Sequence, residues 1–455
     1  MEQGYNSIQY YKTLFATMLL VVAYLSVARE FDHDEFEAVH TSWKMINGES
    51  IYLDFFQHHH PFFYYLIAPV IYLLGDSITT LIVLRLLMLA MYMGIVLCVY
   101  QLAIVVFNNK KVAWLSIAFL LFMAMFSQKA IEIRPDVPQV LFGLLGILFL
   151  LQFKKHSTLF KYFLSAMCLA LSYLFLQKAV FIVAAIGLVQ LFWLYHRRLN
   201  FYQLIQYWLI FGFTISPYYF YLFYTDQFET YLLYNWIINM HFEGCFSPFN
   251  TIVDSFYYNH FIWIFGAVGI GFCLKRGLSD ISLLGVFLFL TVFAVKAPYR
   301  QYFMPFVPIL CITAAYAMIE VLRRKHLLIV VSLSAIVPML YLIRTVIVYP
   351  NQPQLEKIEW VLNQTDPSDY VYDGDIYFNL YRKDIDYFWF STEPGRGGLG
   401  TYQSLRPYTY NIYDAIRKYQ PKVISDTFVE NLENDVIRNN YIQTTQYPEL
   451  YIRVK

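Results

Sequence analysis

The chain has 455 residues, of which 58% are hydrophobic and 14% charged, with a formal net charge of +1. Soluble domains carry about 25% charged residues, so most of this chain is expected to have lipid as its solvent. Near-neutrality excludes the basic face of a nucleic-acid binder.

The first apolar run, Thr13 to Ala28, has no charged leader and no A-x-A cleavage signal, and reads as a retained helix. At about 20 apolar residues per span, helices are expected to cross at 12–28, 79–107, 112–127, 138–153, 160–176, 178–196, 201–224, 256–274, 280–295, 302–321 and 326–349. The segment 61–75 is short and interrupted by Pro69, and is placed in the membrane interface. Lys110/Lys111, Lys154/Lys155, Arg197/Arg198, Lys275/Arg276 and Arg323/Arg324/Lys325 then all fall on one side, which the positive-inside rule makes cytoplasmic. The prediction is an all-α polytopic membrane protein with eleven spans, a cytoplasmic N-terminus and an outer C-terminus. Four of the five cysteines (Cys98, Cys168, Cys273, Cys311) lie in apolar runs and Cys245 in a long loop, so no disulfide framework or CxxC metal site is expected.

The outer side receives the acidic loop 29–60, the loop 128–139, a long loop at 225–255, the turn 296–301 and the tail from Pro350. That side offers no ATP. The chain divides into a membrane domain, 1–349, with its first outer loop at 29–78, and a small soluble α/β domain, 350–455. In the tail, QLEKIEWVLNQ and IYDAIRKY read as helices, DYVYDG and KVISD as strands. The run GRGGLG, 395–400, matches G-x-G-x-x-G, but no strand–helix pair frames it, and it reads as a flexible loop.

A charge at the bilayer centre costs about 2.5–3.5 kcal/mol, so ionisable residues near the outer ends of spans ask for a reason. Glu30, Asp32, Asp34, Glu35 and Glu37 put five carboxylates just after the first span. On a helix Asp34 and Glu37 share a face, as do Glu30 and Asp34; the face is either simply solvated or holds a general base. His58, His59 and His60 cannot all reach one ion from a helix, although Asp54 and His58 could; contact with a phosphate or interfacial packing is favoured over a metal. Pro135 keeps Arg134-Pro135-Asp136 irregular, and its two charges could pair. Lys178 and Arg300 could snorkel. Taken together, the carboxylates and the cations suit an anionic, lipid-linked donor whose phosphate is clamped while a carboxylate activates an acceptor.

The order of these motifs resembles the bacterial GT-C glycosyltransferases related to protein O-mannosyltransferases and lipid A aminoarabinose transferases. The likeness rests on Asp34-Glu35 after the first helix, FFQHHHP, LRLL around Arg85, IRPDVPQVL, LSYLFLQKAVFIV and PYRQYFMPFVPIL. Gln57, His60 and Ala179-Val180 depart from the usual residues. The resemblance implies inverting transfer of a sugar from a polyprenyl-phosphate donor to an outer acceptor, which could be a glycolipid, a polysaccharide or a protein, with no cofactor and no essential metal. It also implies a bacterial plasma membrane. Carried over, Asp34 would be the catalytic base, Glu35 its support and Asp136 a second acidic residue. His59, Lys178, Arg85 and Arg300 would face the donor phosphate, with Glu37, His58, His60 and Arg134 around the cavity. A transporter or flippase of a lipid-linked sugar is the alternative; the spans show no matched pair of broken helices, which transporters often have.

Overall fold

The computed structural model describes residues 2–156, 158–242, 247–296, 299–393 and 395–454; Cys245 lies outside them. It is mostly helical. Among the described residues six helices are long and apolar enough to cross a membrane, and a bent pair, Lys110–Phe122 with Ala124–Ala130, makes up to seven. Four shorter apolar helices accompany them: Phe62–Leu74, Leu159–Phe175, Ser279–Ala294 and Val307–Val321. The chain forms two compact units, one of Met1–Arg29, Arg85–Phe220 and Cys245–Tyr349, the other of Glu30–Leu84, Tyr221–Gly244 and Pro350–Lys455. Packing therefore draws its boundaries differently from the division at residue 349: the first loop and the tail belong to one body.

In the first unit the expected apolar segments fall on helices, several of them with breaks or 3-10 ends, of which two bear on the packing. The segment expected at 112–127 breaks at Met123, whose extended backbone turns the chain by 75°. The segment expected at 302–321 enters as a 3-10 turn, Arg300–Phe303, and its α-helix starts at Val307. Close packing holds this helix in place. A Cβ on Gly269 would lie 2.1 Å from the Thr313 carbonyl oxygen, and one on Gly266 would lie 2.2 Å from Leu310 Cδ1. Glycines let the Pro248–Lys275 and Val307–Val321 backbones approach in this way. A second pair, Asp136–His156 and Leu159–Phe175, is tied by serine hydroxyls: Ser172 donates to the Gln139 carbonyl and Ser165 to the Gly146 carbonyl, each at 2.7 Å.

In the second unit the tail carries a four-stranded sheet of β1 (Val371–Tyr372), β2 (Val423–Ser425), β3 (Tyr441–Gln443) and β4 (Leu450–Arg453), in the order β1-β2-β4-β3. β1 and β2 are parallel and the other pairs antiparallel. The helix Ile412–Tyr419 packs Ile412, Ala415 and Ile416 against Ile424 and Tyr441. The expected helices and both expected strands are present. GRGGLG is not a loop throughout: Gly395 and Gly397 take positive φ, 72° and 63°, and the helix Gly397–Leu405 starts inside the run. A Cβ on Gly398 would fall 2.5 Å from the Phe56 ring. The glycines serve a turn and a close approach, which composition alone cannot tell from flexibility. The first loop is stitched to the tail by the Gln354 side chain, which bonds both N and O of Phe31, and by Phe56 N donating to Phe388 O at 3.0 Å.

Candidate active site

The acidic loop forms a helix, His33–Ile46, because Asp32 caps it. Asp32 Oδ1 accepts from Asp34 N at 3.2 Å and Glu35 Oε1 accepts from Asp32 N at 3.0 Å, a reciprocal capping box. Glu35 is thus occupied in starting the helix, and Asp34 is fixed in its first turn, where the helix dipole favours a carboxylate. Since the helix begins at His33, Glu30 lies outside it and does not share a helical face with Asp34. The Asp34 side chain keeps 27% of its surface, and its Oδ1 faces His33 Nε2 at 3.2 Å. Asp32, His33 and Asp34 bring ligand-type atoms within 4.8 Å of one another.

The histidine run follows no helix, so the expected Asp54–His58 spacing is not realised; Asp54 instead accepts from Ser50 N at 2.7 Å. The His58 and His59 rings lie with centres 4.0 Å apart, and the run meets different partners. His58 Nδ1 lies 3.7 Å from Glu37 Oε1, and His60 Nε2 bonds the Tyr231 hydroxyl at 3.0 Å. Gln57 organises the run: its Nε2 donates to Glu37 Oε1 and Thr41 Oγ1, and its Oε1 accepts from His59 N. From the segment 221–244, Asn239 Nδ2 donates to the His58 carbonyl at 2.9 Å, just beyond a π-helical stretch, Leu233–Ile238.

A third group of charges sits in the first unit. Glu132, itself fully buried, accepts from Arg29 Nη2 at 2.7 Å and from Lys129 Nζ at 2.8 Å, with Arg134 Nη1 at 3.5 Å. Asp136 opens the Asp136–His156 helix and faces Arg134 Nε at 3.4 Å and Lys178 Nζ at 3.7 Å. Lys178 comes from a 3-10 turn, Gln177–Ala179, and its ammonium lies 4.4 Å from the centre of the Tyr302 ring. Asp136, Lys178, Gln301 and Tyr302 share a cavity of about 10 Å³.

The family described as dolichyl-phosphate-mannose-protein mannosyltransferase matches this chain over residues 58–240. No curated protein matches it. Among solved structures, ArnT from Cupriavidus metallidurans bound to undecaprenyl phosphate covers 97% of each chain at 14% identity, with a TM-score of 0.72. The oligosaccharyltransferase AglB from Archaeoglobus fulgidus, with an inhibitory peptide and a dolichol-phosphate, covers 98% of this chain and 74% of its own at 12% identity and a TM-score of 0.57. Both are GT-C glycosyltransferases. The chain has the GT-C fold.

Within this GT-C chain the residues singled out from sequence separate into groups. Asp34, Glu35, Glu37, His58, His59 and His60 lie in one unit; Arg134, Asp136 and Lys178 come together in the other. Arg85 is fully buried and donates from Nη1 to the Arg29 carbonyl at 2.5 Å, so it braces the arginine that holds Glu132. Arg300 does not join Asp136 and Lys178; it pairs with Asp254 at 3.4 Å in a separate cavity. Arg29, Asp32 and Gln57 were missed as site-builders. Asp32 carried a signal, since Asp-x-x-Glu ahead of an apolar run is a capping-box pattern; Arg29 and Gln57 gain their roles only from contacts distant in sequence.

Proposed function

We propose that the protein is an integral-membrane glycosyltransferase that moves a sugar from a polyprenyl-phosphate donor to an acceptor on the outer side of a bacterial plasma membrane. The observation that carries this reading is the fold match along 97% of both chains to a structure holding undecaprenyl phosphate. The family match over 58–240 and the buried charges at Glu132, Arg134, Asp136 and Lys178 support it. The same reading takes eleven spans, an inner N-terminus and an outer tail.

In this reading the acceptor oxygen bonds to the anomeric carbon as the bond from that carbon to the phosphate oxygen breaks, and one displacement inverts the centre. The acceptor's proton passes to the Asp34 carboxylate. Polyprenyl phosphate leaves as a monoester with one more negative charge. Lys178, Arg134 and His59 are the side chains to face it, since fixed cations help most where charge develops. No strong acid is needed for such a leaving group. Glu35 positions Asp34 through the cap, and Arg85 positions Arg29.

The test is radiolabelled sugar transfer in membranes supplied with polyprenyl-phosphate sugars, comparing the wild type with Asp34→Asn at equal expression. Loss of a general base is expected to lower transfer about 10²–10⁴-fold, with unchanged thermal unfolding; equal transfer by both proteins would overturn the role of Asp34. Movement of lipid-linked sugar across the membrane without transfer would make the protein a transporter. Because no metal takes part in this route, EDTA-treated membranes are expected to retain full transfer. Loss that Mg²⁺ or Mn²⁺ restores would instead assign an ion to Asp32, His33 and Asp34.

A further inference from the structure

A second polar cavity, of about 140 Å³, lies in the first unit among the Ala124–Ala130, Pro248–Lys275 and Arg324–Val348 helices and the Arg300–Phe303 turn. It exists because two helices break at the same level. The chain bends by 75° between Phe122 and Ala124, and the Pro248–Lys275 helix loses helical geometry at Asn259 (φ −132°, ψ 28°). Asn259 locks the two breaks together: its Nδ2 donates to the Phe122 carbonyl at 2.9 Å and its Oδ1 accepts from Ala124 N at 3.3 Å. A side chain bridging freed backbone groups is a normal way to hold a kink. The opening it creates is therefore built into the fold.

What lines the opening is polar and electrically balanced. Gln128, Thr251 and Ser255 present amide and hydroxyl groups, and Ser255 Oγ is oriented by accepting from Trp263 Nε1 at 2.9 Å. At the mouth Arg300 pairs with Asp254 while the two side chains keep 46% and 58% of their surface. Tyr258, stacked on Tyr341 with ring centres 4.0 Å apart, forms an aromatic wall.

We propose that this cavity binds a sugar ring of the acceptor. Vicinal hydroxyls both donate and accept, which matches an Asp–Arg pair beside amides and hydroxyls. A tyrosine face covers the ring's C–H surface, and a few convergent polar groups in a cleft fix orientation. A phosphate fits poorly because Asp254 cancels the charge of Arg300 and repels an anion. An isoprenoid tail fits poorly because it would strand the amides and hydroxyls without partners. The Arg300–Phe303 turn also supplies Gln301 and Tyr302 to the cavity of Asp136 and Lys178, so one short element serves both cavities. Assigning the ring to the acceptor rests on the glycosyltransferase reading; the sugar site itself does not.

The test is saturation-transfer NMR on the full chain in nanodiscs, with methyl glycosides of glucose, galactose, mannose and N-acetylglucosamine as probes. Saturation transfer to at least one probe is expected in the wild type and in Asp34→Asn, reduced at least fivefold in Asp254→Asn and in Arg300→Gln. Both substitutions are at half-exposed side chains and spare the Asn259 lock. A short-chain polyprenyl-phosphate glucose is expected not to displace the probe. The absence of transfer to every probe, equal signals in the two cavity variants, or loss in Asp34→Asn alone would overturn the sugar site. Displacement by the donor would overturn the acceptor assignment, giving the cavity to the donor sugar. Probe binding in a protein that transfers no sugar would remove the enzymatic reading, and the word acceptor with it, while the sugar site stands.

Discussion

Asp384 in one unit and Asp136 in the other are both largely enclosed carboxylates between two basic side chains, yet they are held differently. Asp384 Oδ2 accepts from His40 Nε2 and from Lys44 Nζ, each at 2.8 Å, and its Oδ1 accepts from Asn379 Nδ2 at 3.0 Å. His40 and Lys44 stand four apart on the His33–Ile46 helix, so one helical face clamps the tail. His40 and Lys44 hold the Asp384 carboxyl far below the usual carboxylate range despite its burial. Asp136 has cations at 3.4 and 3.7 Å, beyond good hydrogen-bond length, and lines a cavity. A carboxylate whose partners are all close is finished as part of the fold. One whose partners stay at 3.4 and 3.7 Å beside a small cavity is less completely satisfied by the fold.

Substitutions can break this contrast. The largest effect is expected from Asp136→Asn, which keeps shape and removes charge: sugar transfer falls about 10²–10³-fold, as when an electrostatic group of an active site is lost. Unfolding free energy changes by about 1 kcal/mol, the worth of an ordinary hydrogen bond. Transfer assays and thermal melts on one preparation check both halves, and a large stability loss with intact transfer would erase the distinction. Asp384→Ala should do the reverse. Leaving His40 and Lys44 buried without their carboxylate costs about 3–5 kcal/mol, visible as early unfolding, while the fraction that remains folded transfers sugar normally.

Much of this architecture is legible in the sequence because periodicity and hydropathy report on elements one at a time. The apolar segments, Gln352–Gln364, Ile412–Tyr419 and the strands at Val371 and Val423 are all of that kind. Asp136 with Lys178 was foreseeable from charge placed near helix ends. The break at Met123 was not, since LLFMAMFS holds neither proline nor glycine and its cause, Asn259, lies far along the chain. Asp384 was equally silent: an Asp in YRKDIDY looks solvated until the helix bearing His40 and Lys44 is laid against it.

A third buried carboxylate sharpens the contrast at smaller amplitude. Asp373 follows β1, with Oδ1 accepting from Ser425 Oγ at 3.0 Å and Oδ2 from Phe378 N at 3.4 Å. Among the described residues no cation balances it, and burial pushes its carboxyl up to about 8 from 3.8. The folded chain therefore keeps this proton while the unfolded chain loses it near pH ~3.9. From there to about pH 8 the folded state binds more protons than the unfolded one, so stability from this group falls as pH rises, and it is flat outside that window. Asp375, also raised by burial, acts in the same direction. Asp384 has the opposite sign: its depressed carboxyl gives stability that is present above pH ~3.9 and lost on acidification below it. Between pH 5 and 8 Asp384 no longer contributes a change, whereas Asp373 does and Asp375 acts with it, so Asp373→Asn should flatten the decline without abolishing it. Melts of the full chain at pH 5 and pH 8, with hydrogen exchange at Ile424 and Leu450 to locate the effect, read this directly. An Asn variant with an unchanged slope would mean that Asp373 is already ionised in the fold, held by the Ser425 and Phe378 hydrogen bonds alone.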